Sequence, residues 1–187
     1  MARERLLDTA VGIFYADGIH AVGVDRIIGA AGVTRATFYR HFPGKEDLVV
    51  AYLEREDASI RSTFVAAADA AARAGSGPDQ LLDLVIEGLA QDVAQRHTRG
   101  CPFINAAAEY PDPTSAVRGR IRTHRDWFRS QLVDLLTADG HPDPSLAAGQ
   151  LVLIRDAALV GGYLDGWDSI ADAFETAARM VIGRASR

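Results

Sequence analysis

The sequence predicts an all-α fold, with a short N-terminal head of three helices and a larger helical body. Three observations predict it. Apolar residues recur at helical spacing through almost every segment, and no run alternates with the two-residue period of a strand. Glycine and proline breaks separate those segments, at Gly18, Gly32, Pro43-Gly44, Gly75-Ser76-Gly77-Pro78, Gly100-Cys101-Pro102, Gly140 and Asp165-Gly166. Two short helical patterns joined by a tight turn occupy Val24 to Lys45.

Ala2 to Asp17 is the first helix, with Leu6, Ala10, Ile13 and Phe14 on one face. Gly18 ends it. The second helix runs from about Val24 to Ala31 and ends at Gly32, since glycine takes positive φ without steric penalty. Thr34 then offers its hydroxyl to the free amides of a third helix, as an N-cap does. That helix reaches about His41 before Pro43-Gly44 stops it. Lys45 to about Ala74 reads as one long helix with Leu48, Val49, Tyr52, Leu53, Ile60, Phe64 and Val65 inward. Glu46 and Asp47 in its first turn suit the helix dipole. Further helices follow at Leu81 to Ala94, about Phe103 to Glu109, Asp112-Pro113 to about Ala138, Pro144 to about Gly162, and about Asp168 to Arg184.

The third helix has two unlike faces. Val33, Phe38 and Phe42 form an apolar stripe that should pack inward. Between them lie Thr34, Arg35, Ala36, Thr37, Tyr39, Arg40 and His41, with nothing acidic, and Lys45, the only lysine in the chain, follows. A helix, a glycine turn and a second helix form a helix-turn-helix, whose second helix can enter the DNA major groove. Arginine grips guanine O6 and N7 with two bonds, and threonine bonds base edges or phosphate. On that chemistry Arg35 and Thr37 are the base readers, with Arg40 as a further one, and Thr34, Tyr39, His41 and Lys45 hold phosphate.

At these residues the chain resembles the TetR/AcrR family of transcriptional regulators. The resemblance rests on Ile27-Ile28, Ala31-Gly32-Val33, Thr34, Phe38-Tyr39-Arg40-His41-Phe42 and Gly44-Lys45-Glu46, and it covers about Arg3 to Leu53. Two positions depart from the family pattern. Val22-Gly23 stands where hydroxyl residues usually cap the motif's first helix and touch phosphate, and Ile28 stands where alanine is usual at the helix crossing. The resemblance implies a DNA-binding domain at 1–47 and a helical ligand-binding and dimerisation domain at 48–187. It also implies a homodimer and a repressor released from a palindromic operator by a small-molecule inducer.

Composition bounds the rest. The 187 residues are 48% apolar and 24% charged, enough for one or two small units with a real core. The net charge of −5 does not by itself suggest a binder of double-stranded DNA, and the first 57 residues hold seven basic against nine acidic side chains. Positive charge is therefore local to Arg35 through Lys45, and affinity must come from placement. One cysteine allows no internal disulfide and fits a cytoplasmic protein. No stretch reaches the length of a membrane span, no signal-peptide core is seen, no cofactor is expected, and the five histidines show no metal-ligand spacing.

In the body, Arg118, Arg122, Arg125 and Arg129 share a helix side and read as a solvated face or an anion-binding surface. His124 falls on the apolar stripe beside Trp127 and Phe128, as a core histidine or a ligand contact. Asn105 and Glu109 are structural bonds or the polar points of a pocket. Phe103, Asn105, His124, Trp127, Phe128 and Arg155 form the candidate ligand site. The last two helices carry Leu151, Ile154, Ala157, Ala158, Gly161, Ile170, Phe174, Ala177, Ala178, Val181 and Ile182, as a dimer face or an internal core. Two other classes stay open beside the regulator: a small helical enzyme using Cys101 or a Glu109/His124 pair, and a helical adaptor that binds a protein partner. Neither accounts for the coordinated pattern at Thr34 to Lys45, so the chain is expected not to be an enzyme.

Overall fold

The computed structural model describes residues 1–183. Among the described residues there are nine α-helices and no strand: α1 Ala2–Asp17, α2 Val24–Ala31, α3 Arg35–His41, α4 Lys45–Ala74, α5 Pro78–Gln91, α6 Pro102–Glu109, α7 Ala116–Ala138, α8 Pro144–Asp165 and α9 Trp167–Val181. A π-helical turn, Asp92–Arg96, continues α5. The all-α expectation holds.

Helix limits match best where a local cap sets them. Gly32 takes the left-handed conformation at φ 61° and ψ 43°, and its amide donates back to Gly29 and Ile28 carbonyls. Thr34 caps α3 by accepting from the Thr37 amide. The differences lie in the body. α5 starts at Pro78 instead of Leu81, because a proline ring suits the first helical turn. α7 starts at Ala116 and not at Asp112-Pro113: the Asp112 carboxylate accepts from the Thr114 amide at 2.8 Å and the Thr114 hydroxyl at 2.7 Å, holding a turn in place of a helix. α8 runs on to Asp165, and the predicted end of the last helix at Arg184 lies outside the described residues.

By packing, the described chain divides into two compact units. One is Met1–Ser59 with Pro102–Thr123, and the other is Ile60–Cys101 with the chain from His124 onward. In the first unit α1 packs on α2 and α3. Leu6, Ala10, Phe14, Val22, Ile27, Phe38, Phe42, Leu48 and Tyr52 form its buried core. At its surface Arg26 pairs with Asp17, and Arg55 with Glu4 and Asp8. In the second unit α8 packs against α9 and the π turn, and α5 against α9. Gly162 allows the closest approach there, since an added Cβ would meet Val93 Cγ1 at 2.8 Å.

One expectation needs correction. α8, with 22 residues, is long and apolar enough to cross a bilayer by length and composition alone. In this fold it is a packed helix of the second unit, with Ala147, Ala148, Leu151, Val152, Ala158 and Leu159 buried.

Candidate functional site

The helix-turn-helix turns α3 outward by burying one side of it. Phe38 and Phe42 are buried, with ring centroids 6.0 Å apart, and the Phe38 ring also meets the edge of Tyr39 at 5.1 Å. Thr34, Arg35, Tyr39 and Arg40 are exposed, and Thr37, His41 and Lys45 are half-buried. The seven residues named from sequence thus all sit on α3, its cap, or the first residue of α4.

Their bonds divide them. Thr34 Oγ1 accepts the Thr37 amide at 3.2 Å and lies 2.9 Å from Thr37 Oγ1. If the Thr37 hydroxyl donates in that pair, the Thr34 proton is left to point at an acceptor outside the protein. Arg35 pairs with Asp25 on α2, a partner that sequence reasoning missed because the two lie on different helices. Both side chains are more than 60% exposed, at 64% and 73%, so water screens the pair and it holds little energy. Arg40 takes no protein partner among the described residues. Burial pulls the Lys45 ammonium below its ordinary value, and the Glu109 carboxylate opposes that shift. At the start of α2, Gly23 is the N-cap and provides no side-chain bond, as its departure from the family pattern implied.

Glu109 resolves as a structural bond. Its two oxygens accept the amides of Ile19, at 2.8 Å, and His20, at 2.5 Å, in the loop between α1 and α2. A carboxylate suits this place because each oxygen answers one donor with full charge assistance. The His20 ring lies 5.2 Å from that of Tyr110, whose phenol is pushed up by burial and by Glu46 and Glu109. Phe103, in the same unit, is buried, and Asn105 is half-buried.

The second unit holds a cavity of about 270 Å³. Ile60 and Phe64 of α4, Val85, Leu89 and Gln91 of α5, Phe128 of α7 and Arg155 of α8 line it, with Asp92, Gln95 and Arg96 of the π turn. Of the candidate ligand residues, Phe128 and Arg155 line this cavity. His124 and Trp127 belong instead to an aromatic cluster beside it, with His124 6.0 Å from Trp127 and 6.4 Å from Phe128. The Phe64 ring meets both Trp127, at 5.4 Å, and Phe128, at 5.8 Å. The contributions of α4 and α5 were missed in the sequence, where Phe64 and Val85 look like any core positions. The π turn could not be read either. His97 closes it, with its ring nitrogen 2.7 Å from Asp92 Oδ2.

The remaining candidates resolve simply. Arg118 donates to the Ala107 and Tyr110 carbonyls and Arg122 to that of Pro113, so neither is a purely solvated charge. Cys101 is buried. No group of three or more metal-ligating side chains is found among the described residues. Of the last-helix residues, Leu151, Ala158, Phe174, Ala178 and Ile182 are internal core. The predicted Ala157 is exposed instead, on a side of α8 that also exposes Leu146, Leu153 and Val160, spaced by seven, followed by Leu164. Gln150 and Ala157 lie between them and are exposed too, completing a coiled-coil-like seam.

The chain is similar to known gene regulators. The profile of bacterial regulatory proteins of the tetR family matches residues 6–52. The crystal structure of SCO4454, a TetR-family transcriptional regulator from Streptomyces coelicolor, is 42% identical, covers 97% of this chain and 94% of that one, and superimposes with a TM-score of 0.89. The HTH-type transcriptional regulator Rv1255c of Mycobacterium tuberculosis is 39% identical over 70 residues, or 37% of this chain. The chain spans about a third, 35%, of that relative's length. The HTH-type transcriptional repressor KstR of Mycolicibacterium smegmatis is 34% identical over 113 residues, covering 57% of this chain and 53% of that one.

Proposed function

The chain belongs to the TetR family of transcriptional regulators, and on that footing we propose that it is a cytoplasmic, homodimeric repressor released from a palindromic operator by a small molecule. The observation that carries the reading is the outward face of α3: a seven-residue helix pinned by Phe38 and Phe42, with Arg35, Tyr39 and Arg40 exposed and no carboxylate on it. Two such helices in a dimer enter successive major grooves about 34 Å apart. Arg35, Thr37 and Arg40 read base edges, and Thr34, Tyr39, His41 and Lys45 hold phosphate. Arg40 is the better placed of the two arginines, since Arg35 must first leave Asp25.

Residues 1–47 act as the DNA reader in this reading and 48–187 as the ligand-binding and dimerising body. The exposed seam on α8 supports the dimer, because an apolar stripe of that length is stabilised by a second copy of itself. The cavity of the second unit supports the ligand. α4 and α7 each start in the first unit and continue into the second. A ligand that prefers one arrangement of those helices shifts the population of DNA-competent dimers by its differential affinity. The relatives are named as transcriptional regulators, and no catalytic role is assigned to Cys101, Glu109 or His124.

The single lysine provides the test. An amine-specific reagent can modify only Lys45 and the N-terminus. Reductive methylation with and without a bound duplex should protect Lys45 when DNA is present. Equal labelling of Lys45 in free and bound protein would overturn its phosphate contact.

A further inference from the structure

We propose that the cavity of the second unit takes a small apolar carboxylate, and that Arg155 is the residue that recognises its anion. The inference rests on the ligand-released reading above and names the chemical class of the ligand.

Among the described residues of this unit two arginines are buried, and they are treated differently. Arg179, 4% exposed, is answered by two carboxylates: Glu175 at 2.8 Å and Asp83 at 3.3 Å. Arg155, also 4% exposed, has one long contact, from Nη1 to Asp156 Oδ1 at 3.4 Å. That aspartate is already committed to Arg125, whose Nη2 lies 2.8 Å from its other oxygen. One carboxylate thus serves two guanidinium groups, and the rest of the Arg155 fork takes no acceptor among the described residues. A buried cation without a full counter-charge is costly, and a bound anion relieves it. Arg155 lines the cavity, and its guanidinium lies 4.9 Å from the centre of the Phe128 ring. That contact places it against the ring without neutralising its charge. The carboxylate on the cavity wall, Asp92, is engaged by the buried His97 at 2.7 Å.

The rest of the wall sets the body of the ligand. Ile60, Phe64, Val85, Leu89 and Phe128 present apolar surface. At about 270 Å³ the space is larger than the roughly 150 Å³ that holds benzene and smaller than the roughly 300–1,000 Å³ of drug-sized sites. A single ring or short chain bearing one carboxylate fits both limits. Planar guanidinium–carboxylate pairing explains why an arginine serves there better than a lysine.

The test measures binding of benzoate, phenylacetate, trans-cinnamate, hexanoate and octanoate to the full chain, by calorimetry and by thermal shift. Benzamide and trans-cinnamamide serve as charge-free controls. At least one acid should bind, and its amide should bind at least tenfold more weakly. Arg155→Gln should remove the preference for the acid. The ring acids against the chain acids identify the apolar body. Equal affinity for acid and amide in the native chain, or no binding by any acid, would overturn the proposal without any need for the variant to fold. A parallel measurement follows release of a duplex selected for binding. An acid that binds through Arg155 yet leaves the duplex bound would support this inference and overturn the ligand-released reading.

Discussion

Helices α3 and α8 each carry an arginine proposed for recognition, and the two residues live in opposite surroundings. Arg40 on α3 is exposed and takes no protein partner among the described residues. Arg155 on α8 is buried and shares one aspartate with Arg125. An exposed guanidinium is solvated at little cost and is free to exchange water and counterions for a polyanion. A buried one has lost its water and must be met by an acid, an aromatic face or a ligand. The comparison teaches that charge on an outer helix is available to a large partner, whereas charge inside a bundle is selective for a small one.

The largest expected effect breaks the exposed side of that comparison from beneath. Phe38→Ala removes a fully buried ring from under α3 and should cost about 3–5 kcal/mol of stability, read by chemical denaturation, with loss of DNA binding. Retained DNA binding at unchanged stability would mean that the ring does not hold the helix. Glu109→Gln comes next. A glutamine can accept with only one oxygen, so either the Ile19 or the His20 amide loses its acceptor, at about 1–2 kcal/mol. A neutral result would show that water replaces the bond. The smallest effect sharpens the comparison. Gly23→Ser adds the missing cap of α2, where an added Cβ meets nothing within 4 Å. It should stabilise by a few tenths of a kcal/mol and tighten binding to all duplexes alike.

The head was legible in the sequence because its limits are set by neighbours in the chain. Gly32 can turn left-handed, Thr34 can cap, and Phe38 with Phe42 marks the inward side, each within one turn of the helix it shapes. The second unit was less legible because its decisive relations are long-range. Nothing near Arg155 says that Asp156 is taken by Arg125, thirty residues earlier. The first unit has one such relation too: nothing near Glu109 says that it answers two amides about 90 residues away. The π turn at Asp92–Arg96 goes with the close approach of Val93 to Gly162 and the bond from His97 to Asp92, and no helical periodicity encodes that. The α8 seam was hidden for a related reason. Most positions of that helix are apolar or small, and only packing shows which side is left over.

Selection of bound sequences from a random duplex pool, run side by side with the native chain, Arg35→Ala and Arg40→Ala, tests most directly whether the outer face of α3 reads DNA. The native chain should enrich a palindrome with half-sites about 10 base pairs apart, or a multiple of that. Each variant should lose preference at one position per half-site, at about 1–3 kcal/mol. Failure of the native chain to enrich any sequence at low salt, or recovery of the same motif at the same strength by both variants, would contradict that role.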